Sequence, residues 1–493
     1  VAYVRDYLIP AARAHGYTFT TLPASSSAFA NGNVHVTPSW ADEATLVVTK
    51  TLYVWPTFVM HDLFLFTVAL TAAIGLLNIG LAFLRSREER RWRAQEVAPT
   101  RTIPVTVLLA AYNEEKLIER TIRTVLASSY PISEVVVVDD GSTDATSAVV
   151  TRLMAQDARI RLLRQPNAGK SAALNHGLTT TQGEVVITID ADTIVGAQTV
   201  SHLMRRYERD AEGRIGVVAG AVRVGNYRSN VLTRWQALEY VTQIGIDRAA
   251  QAVLNAIAIV PGACTAWRRE AILEAGGFKD DNLAEDADLA LTLHRLGWRV
   301  DQAGEAYAFT EAPDTMDDLL KQRVRWTYGI MQAMWKHRSL LFSRRHPGLG
   351  FFVYPMYILN QLIPLVFLPI IVVVTVLSLE NGGWPKIVEF FAAFVVYQFL
   401  VSFLAISFLG EDRGLLRIVP IYRVIYEPLR AYLLYATVVS ALKGIQMRWN
   451  RVHRTGSVDP HLGAAAQRHG TVAPVGLTPE AERPGAPAPG GPR

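Results

Sequence analysis

The sequence predicts an α/β domain inserted between transmembrane α-helices. Three observations carry this. Strand-like apolar runs alternate with amphipathic helical stretches between about residues 100 and 320. Uncharged runs long enough to cross a bilayer stand on both sides of that region. Acidic doublets close the strand-like runs, as Asp190-Ala191-Asp192 does after Val185-Val186-Ile187-Thr188-Ile189. Strands alternating with helical patterns imply an open parallel sheet with crossover helices. Ligands of such sheets bind beyond the carboxyl ends of the strands, where these acidic doublets lie.

Bulk composition agrees. The 493 residues are 50% hydrophobic and 19% charged, with mean hydropathy +0.18. That is too apolar for an ordinary soluble protein, and long enough for a sizeable domain plus several spans. The net charge is +5, the pI is near 9.2, and basic residues cluster beside apolar runs. Such clustering reads as a positive-inside signature and a contact with anionic membrane lipid. No nucleic-acid motif accompanies it, so no nucleic acid is expected as partner. The single cysteine, Cys264, excludes an intramolecular disulfide and a structural zinc cluster.

In chain order, residues 1–50 are mixed and polar-rich, with Ser25-Ser26-Ser27 and Asn31-Gly32-Asn33. The chain starts at Val1, which fits a piece of a longer protein, and no signal peptide is visible there. A first transmembrane helix is expected over 58–84, because Leu63 to Leu84 carries no charge. Arg85, Arg87, Arg90, Arg91 and Arg93 follow at once, placing that end in the cytoplasm and the N-terminus outside. Within 100–320, strands are expected at Val105 to Ala110, Val135 to Val138 and Val185 to Ile189. Helices are expected at Glu114 to Ser128, with Ile118, Ile122 and Val125 on one face, and at Ala145 to Leu153.

Residues 321–345 place Trp326, Ile330, Met331, Met334 and Trp335 at helical spacing, flanked by Lys321, Arg323, Lys336, His337 and Arg338. An amphipathic helix on the membrane surface is expected, with packing on the α/β domain as the other reading. About three C-terminal transmembrane helices are expected over 351–442, from Phe351 to Leu379, Phe390 to Leu409 and Ile418 to Leu442. The last holds Arg423, Glu427 and Arg430, spaced to pair along a helix. Three crossings put the C-terminus outside, whereas Lys443, Arg448, Arg451 and Arg454 favour the inside. Residues 456–493, rich in Ala, Pro and Gly, read as a disordered tail.

The chemistry gathers in a few motifs. Val135 to Val138 ends in Asp139-Asp140-Gly141, carboxylates suited to a base NH or a ribose hydroxyl. Asn167-Ala168-Gly169-Lys170 offers exposed backbone and a cation for a diphosphate. Asp190 and Asp192 suit a hard divalent cation that also carries substrate phosphates. Glu285-Asp286 opens a helix, and Gln322-Arg323-Val324-Arg325-Trp326 opens the amphipathic one. Singly, each has a structural explanation: Ser142 and Asp144 as helix caps, Glu285 and Asp286 as first-turn acids, Arg325 as a surface charge.

Together, Asp139-Asp140-Gly141, Asp190-x-Asp192, Glu285-Asp286 and Gln322-x-x-Arg325-Trp326 resemble the processive family-2 membrane glycosyltransferases. That group includes cellulose, chitin, hyaluronan and poly-N-acetylglucosamine synthases, and the likeness spans roughly residues 100–450. The resemblance implies a Rossmann-like GT-A nucleotide-sugar domain inserted between transmembrane α-helices. It also implies inverting transfer from a UDP-sugar to a growing polysaccharide. By the same resemblance, Asp139 and Asp140 would hold uridine, and Lys170 the nucleotide or its phosphates. Asp190 and Asp192 would serve the diphosphate and a Mg2+ or Mn2+ ion, with Asp192 the direct ligand. Glu285 stands with the substrate-binding residues, and Asp286 would be the general base. Gln322, Arg325 and Trp326 would close over the diphosphate and acceptor, and Gly262 and Cys264 fall where relatives meet the acceptor sugar. Cys264 has the simpler reading of a small buried residue. The implied setting is a multi-pass protein of the plasma (inner) membrane with a cytoplasmic catalytic domain, leaving room for an accessory membrane subunit.

A second resemblance sits at the front. Tyr3 to Leu22, with Leu8-Ile9-Pro10 and Ala14 to Phe19, looks like the end of a polysaccharide deacetylase domain, without recognisable metal ligands. A deacetylase joined to a synthase implies UDP-N-acetylglucosamine as donor. Chitin-, hyaluronan- and cellulose-type synthases are the alternatives within the class. A nucleotide-regulated membrane transporter is the alternative outside it.

Overall fold

Runs of β-branched and aliphatic residues make the centre of a sheet, because a strand covered on both faces needs no polar side. Strand β1 (Val105–Ala111), β2 (Glu134–Asp139) and β4 (Val185–Asp190) are buried almost throughout. Alternate residues serve opposite faces, as the two-residue period of a strand requires. Val107, Leu109, Val135 and Val137 join Ile118, Ile122 and Val125 in one core, while Leu108, Val136 and Val138 join Leu174, Leu178 and Leu289 in the other.

The computed structural model describes residues 9–14, 40, 55–94, 102–380, 384–409, 411–443 and 458. The chain divides into two compact units, 1–69 and 70–493. In the first, the described elements are helix α1 (Ile9–Ala14) and the start of α2 (Trp55–Ala94). The deacetylase-like stretch therefore lies, apart from α1, outside the described residues. So does the 456–493 tail, apart from Val458.

Eight strands stand in the order β3-β2-β1-β4-β7-β6-β8-β5, adding β3 (Ile160–Arg164), β5 (Ile194–Val195), β6 (Ile215–Val224), β7 (Cys264–Arg268) and β8 (Arg299–Thr310). The expected parallel sheet holds for β3, β2, β1 and β4. Beyond them the sheet is mixed, since β7 runs antiparallel to both β4 and β6, and β5 runs antiparallel to β8. The connection explains this correction. Strand β6 leaves the sheet at its carboxyl edge, and the excursion that follows stays on that edge. It comprises α7 (Val231–Glu239), a π turn (Tyr240–Gly245) and α8 (Ile246–Val253). The chain re-enters at Cys264, opposite Ile189 at the end of β4. A connection that starts and ends on one edge returns antiparallel, unlike a crossover helix. It also delivers the Pro261-Gly262 turn to the edge where β2 and β4 end.

Besides α7, α8 and the helix before β8, five helices of the α/β region lie between these strands. They are α3 (Ile118–Leu126), α4 (Thr146–Met154), α5 (Lys170–Thr180), α6 (Thr199–Glu208) and α9 (Arg269–Glu274). Helix α10 (Glu285–Leu296) precedes β8 and ends on Gly297, whose φ of 95° makes the left-handed cap. Helix α11 (Met316–Lys336) starts six residues earlier than the motif suggests, because Thr315 caps it by accepting from the Asp318 N–H at 3.3 Å. It buries Leu319, Gln322, Arg323, Gly329, Ala333 and Met334 and packs against α10 and the last helix. Gly329 permits the approach, since a Cβ there would stand 2.9 Å from Ala284 N.

Among the described residues, three helices are long and apolar enough to cross a membrane, by length and composition: Ala69–Trp92, Gly348–Val366 and Ile387–Leu409. They belong to α2, to α12 (Tyr354–Glu380) with the π turn before it, and to α13 (Trp384–Leu409). The last helix, α14 (Glu427–Leu442), is 16 residues long and is not among them. The side chains of Arg423 and Glu427, whose pairing the spacing predicts, lie outside the described residues.

The arginine cluster after the first span has a role beyond topology. Arg85 is 6% exposed and donates from Nη2 to Asp301 Oδ1 at 2.5 Å, while Arg206 Nη2 donates to Glu89 at 2.8 Å. These bonds dock the end of α2 on β8 and α6. Helix α5 sits on β1 more tightly still: a Cβ at Gly177 would come within 2.2 Å of Leu108 Cδ1. Gly177→Ala is expected to cost about 1–3 kcal/mol by overpacking. The check is a lowered melting temperature of the purified protein in detergent.

Candidate active site

The acidic ends of β2 and β4 are held in place by the chain itself. Asp139 accepts from the Ser142 N–H at 2.8 Å and from the Ser147 hydroxyl. Asp140 accepts from Gln165 Nε2 at 2.7 Å and from the Ala168 and Gly169 N–H groups at 2.8 Å each. Both carboxylates are 4% exposed. Asp140 thus folds the 165–169 loop over the strand end. The turn needs Gly141, whose φ is 76° and whose Cβ would meet Asn167 N at 2.7 Å.

That loop ends at Gly169, φ 90°, which opens α5 so that Lys170 is its first residue. Lys170 Nζ lies 2.8 Å from Asp190 Oδ1 and 3.2 Å from Glu285 Oε1. The loop after β3, the end of β4 and the start of α10 therefore meet at one ammonium group. Gly262 closes the group: a Cβ there would stand 2.9 Å from Lys170 Nζ and 3.1 Å from Asp286 Oδ2. Only a residue without a side chain lets that turn approach both. Asp192 is 4% exposed, with the Thr193 hydroxyl 3.2 Å from its Oδ1. The turn between the two aspartates is pinned by Thr121, which donates to the Ala191 carbonyl at 2.8 Å.

Electrostatics sets the protonation. Burial pushes the Asp286 carboxyl up to about 7, and neighbouring Glu285 adds to the rise while Lys170 opposes it. Burial works against the Lys170 ammonium, but Asp190, Glu285 and Asp286 outweigh it and raise its pKa. A buried carboxyl poised near neutrality, beside a fixed cation, is the signature of a proton-accepting group.

Cys264 is fully buried at the start of β7, and burial pushes its thiol up to about 12. Its Sγ packs toward Gly220, where a Cβ would meet it at 2.8 Å. The thiol therefore does not face the cleft, and the turn's contribution comes from Gly262. The reason is the pleat: Cys264 pairs with Ile189 in mid-sheet.

Helix α11 brings its motif to the same edge in two halves. Gln322 is 6% exposed, and its Oε1 makes no hydrogen bond among the described residues. Arg325 and Trp326 are half-buried, and the Trp326 ring lies 6.3 Å from that of Tyr240 on the π turn. Asp288, two residues after Asp286 and so on the other side of α10, accepts from His337 Nε2 at 2.9 Å and from Lys336 Nζ at 3.0 Å. The far end of α11 is thereby tied to the first turn of α10.

Several residues escaped the sequence reading. Arg323, inside the motif but between its named positions, is 8% exposed and pairs with Glu239 at 2.6 Å. Arg248 on α8 is 9% exposed; burial and neighbouring Arg223 lower its pKa to about 10, and Asp286 pulls the other way. Thr121 escaped too. Of these only Arg323 carried a local signal, a charge on the apolar face of an amphipathic helix.

The class of domain is now defined. Residues 106–276 match the family model Glycosyl transferase family 2. Among particular proteins, it is similar to the poly-beta-1,6-N-acetyl-D-glucosamine synthase of Staphylococcus aureus (strain COL). The two are 31% identical over 244 residues, covering 49% of this chain and 58% of that protein. The synthase of the same description from Staphylococcus epidermidis is 29% identical over 225 residues, covering 46% and 54%. The chain thus matches somewhat over half the length of these curated relatives. Among solved structures it resembles the mannosyltransferase PcManGT from Pyrobaculum calidifontis, determined in complex with GDP-Man and Mn2+. That likeness has a TM-score of 0.54 and 23% identity over 77% of this chain and 99% of that one. It establishes the GT-A fold.

The raised Asp286 pKa carries a stability consequence. A carboxyl whose pKa is raised in the folded state binds its proton more tightly there than when unfolded. Its ionisation therefore costs stability, from about pH 4 upward and in full above about pH 7. Asp286→Asn is expected to raise the melting temperature at pH 8 and to leave it nearly unchanged near pH 4. Melting curves at both pH values check the sign.

Proposed function

We propose that the chain is a membrane-embedded, inverting, processive glycosyltransferase. It transfers N-acetylglucosamine from UDP-N-acetylglucosamine to a growing β-linked polysaccharide and passes the product through its own helices. The single observation behind this reading is the meeting of Asp190, Glu285 and Asp286 around Lys170 and Gly262 at the carboxyl edge of the sheet. The likeness to the poly-beta-1,6-N-acetyl-D-glucosamine synthases supports the donor and the polymer.

The chemistry follows from the placement. Asp286 takes the proton of an acceptor hydroxyl presented above Gly262. The freed oxygen attacks the sugar's anomeric carbon on the face opposite UDP, and the bond to the diphosphate breaks. Inversion turns an α-linked donor into a β-linked product. Lys170, now paired with Asp190 and Glu285, is the cation on hand for the incoming phosphates. Asp139 and Asp140 shape the nucleoside end of the cleft by holding the 142–147 and 165–169 segments.

Among the described residues, no group of three or more His, Cys, Asp or Glu side chains is assembled to hold a metal. Asp190 and Asp192 fit a Mg2+ or Mn2+ ion shared with the donor, because such hard cations take oxygen ligands and leave positions open for phosphate. When bound, the ion supplies charge neutralisation on the departing diphosphate. Gln322, whose buried Oε1 awaits a donor, and Arg325 and Trp326 frame the acceptor side. On this reading the N-terminal residues lie outside the plasma membrane and the catalytic domain lies in the cytoplasm, as the arginines after the first span favour, with α11 along the inner surface.

Purified membranes incubated with labelled UDP-N-acetylglucosamine should release UDP and form a β-linked polymer. Chelation should stop both; linkage analysis separates this polymer from a chitin-type product, and turnover only when UDP-glucose or UDP-glucuronic acid is supplied would indicate a cellulose- or hyaluronan-type synthase instead. Asp286→Asn should lower transfer by about 10²–10⁴-fold while UDP-N-acetylglucosamine binding persists; equal loss of both would sink the base assignment. Trp326→Ala should abolish polymer output. Transfer should fall on the acid side of about pH 7, where Asp286 becomes protonated. Glu285→Gln removes a charge that raises Asp286, so the acid limb of the pH–rate profile should move to lower pH.

A further inference from the structure

One buried carboxylate has no part in the chemistry above and yet gathers three helical segments. Glu239, 4% exposed, is the last residue of α7, immediately before the π turn that leads through α8 to Gly262. Its Oε2 accepts from Arg323 Nη2 at 2.6 Å and from the Tyr426 hydroxyl at 3.0 Å. Its Oε1 lies 3.5 Å from Arg430 Nε. Arg323 belongs to α11, and Tyr426 and Arg430 belong to the segment ending in α14.

These bonds reach Trp326 from two sides. The Arg323 guanidinium lies 4.6 Å from the Trp326 ring centroid, one helical step away. Tyr240, the neighbour of Glu239, packs its ring 6.3 Å from the same ring. Glu239 therefore holds both walls of the slot in which Trp326 sits. Three apolar side chains could have filled this space at no loss of stability. A carboxylate held from α11 and from the segment ending in α14 instead admits one register, because any slip strands a buried charge.

We propose that Glu239 is the positioning residue of this site: it sets Trp326 for the acceptor chain, and so governs how long the polymer stays engaged rather than how the donor is used. The proposal rests on the processive reading above. Glu239 touches neither the Lys170 group nor Asp286, so donor binding and the base stay as they are when it is altered. Loosening it lets α11 drift against the terminal helix and frees the Trp326 ring.

The test uses the full chain in membranes, with UDP-N-acetylglucosamine as donor and a short β-linked N-acetylglucosamine oligomer as acceptor. Glu239→Gln keeps the shape and removes the charge. It should shorten the product and raise the KM for the oligomer, each by roughly fivefold or more, while the donor KM stays within about twofold. Tyr426→Phe removes one hydroxyl and should move both quantities the same way by less. Unchanged length and oligomer KM in both variants, or a donor KM that rises in step with the oligomer KM, overturns the proposal. If Glu239→Gln does not fold, Tyr426→Phe decides alone: a shorter product supports the proposal, and native length overturns it. A native protein that releases no UDP sinks the processive reading and this proposal with it. A native protein whose polymer neither variant shortens overturns the proposal alone.

Discussion

Four charged groups share a small volume at the carboxyl edge of the sheet, and the architecture around them is arranged to keep them there. Lys170 holds Asp190 and Glu285, with Asp286 close behind. Unpaired, any of these would be expensive to bury. Together they are tolerated, and their mutual field decides which carboxyl keeps its proton near neutral pH. Burial and Glu285 raise Asp286, and Lys170 stops the rise from going further. A single ammonium thus joins three separate stretches of chain and tunes the group next to it.

Meeting that constraint requires loops from distant parts of the chain to reach one edge. The parallel half of the sheet does this for β2 and β4 in the ordinary way, since their carboxyl ends point alike. The antiparallel half does it through the same-edge excursion after β6, which turns β7 around and brings Gly262 against Lys170 and Asp286. Helix α11 then closes the remaining side. Gly329 seats it on the start of α10, and Asp288 anchors its far end through His337 and Lys336. Polar contacts to α14 and docking of Arg85 on Asp301 join the α/β domain to the apolar helices beside it. The α/β domain is therefore tied to the first membrane-crossing candidate through Arg85 and to the terminal helix through Arg430.

Much of this was legible along the chain, because the signals are local. Runs such as Val135 to Val138 read as strands covered on both faces, and the three expected strands and the helix at Ala145 to Leu153 fell within one residue of their bounds, whereas α11 began six residues early. The 22 uncharged residues from Leu63 to Leu84 announce a span. The acidic doublets mark strand ends by position alone. Their separation by an α/β rhythm marks one cleft.

Other features had no local signal, because they arise from residues far apart in sequence. Nothing near Cys264 says that its strand runs backwards; that follows from where β6 leaves the sheet. Nothing in Glu285-Asp286 says that Asp286 is raised; that comes from burial, with Lys170, more than a hundred residues earlier, opposing it. Glu239 reads as one acid among apolar residues until α11 and α14 bring Arg323, Tyr426 and Arg430 to it. By itself, then, the sequence determined the α/β domain between apolar helices and the chemical types at its edge. Tertiary structure decided the strand directions, the pairings and the raised pKa of Asp286, because buried charges take their properties from whatever the fold sets beside them.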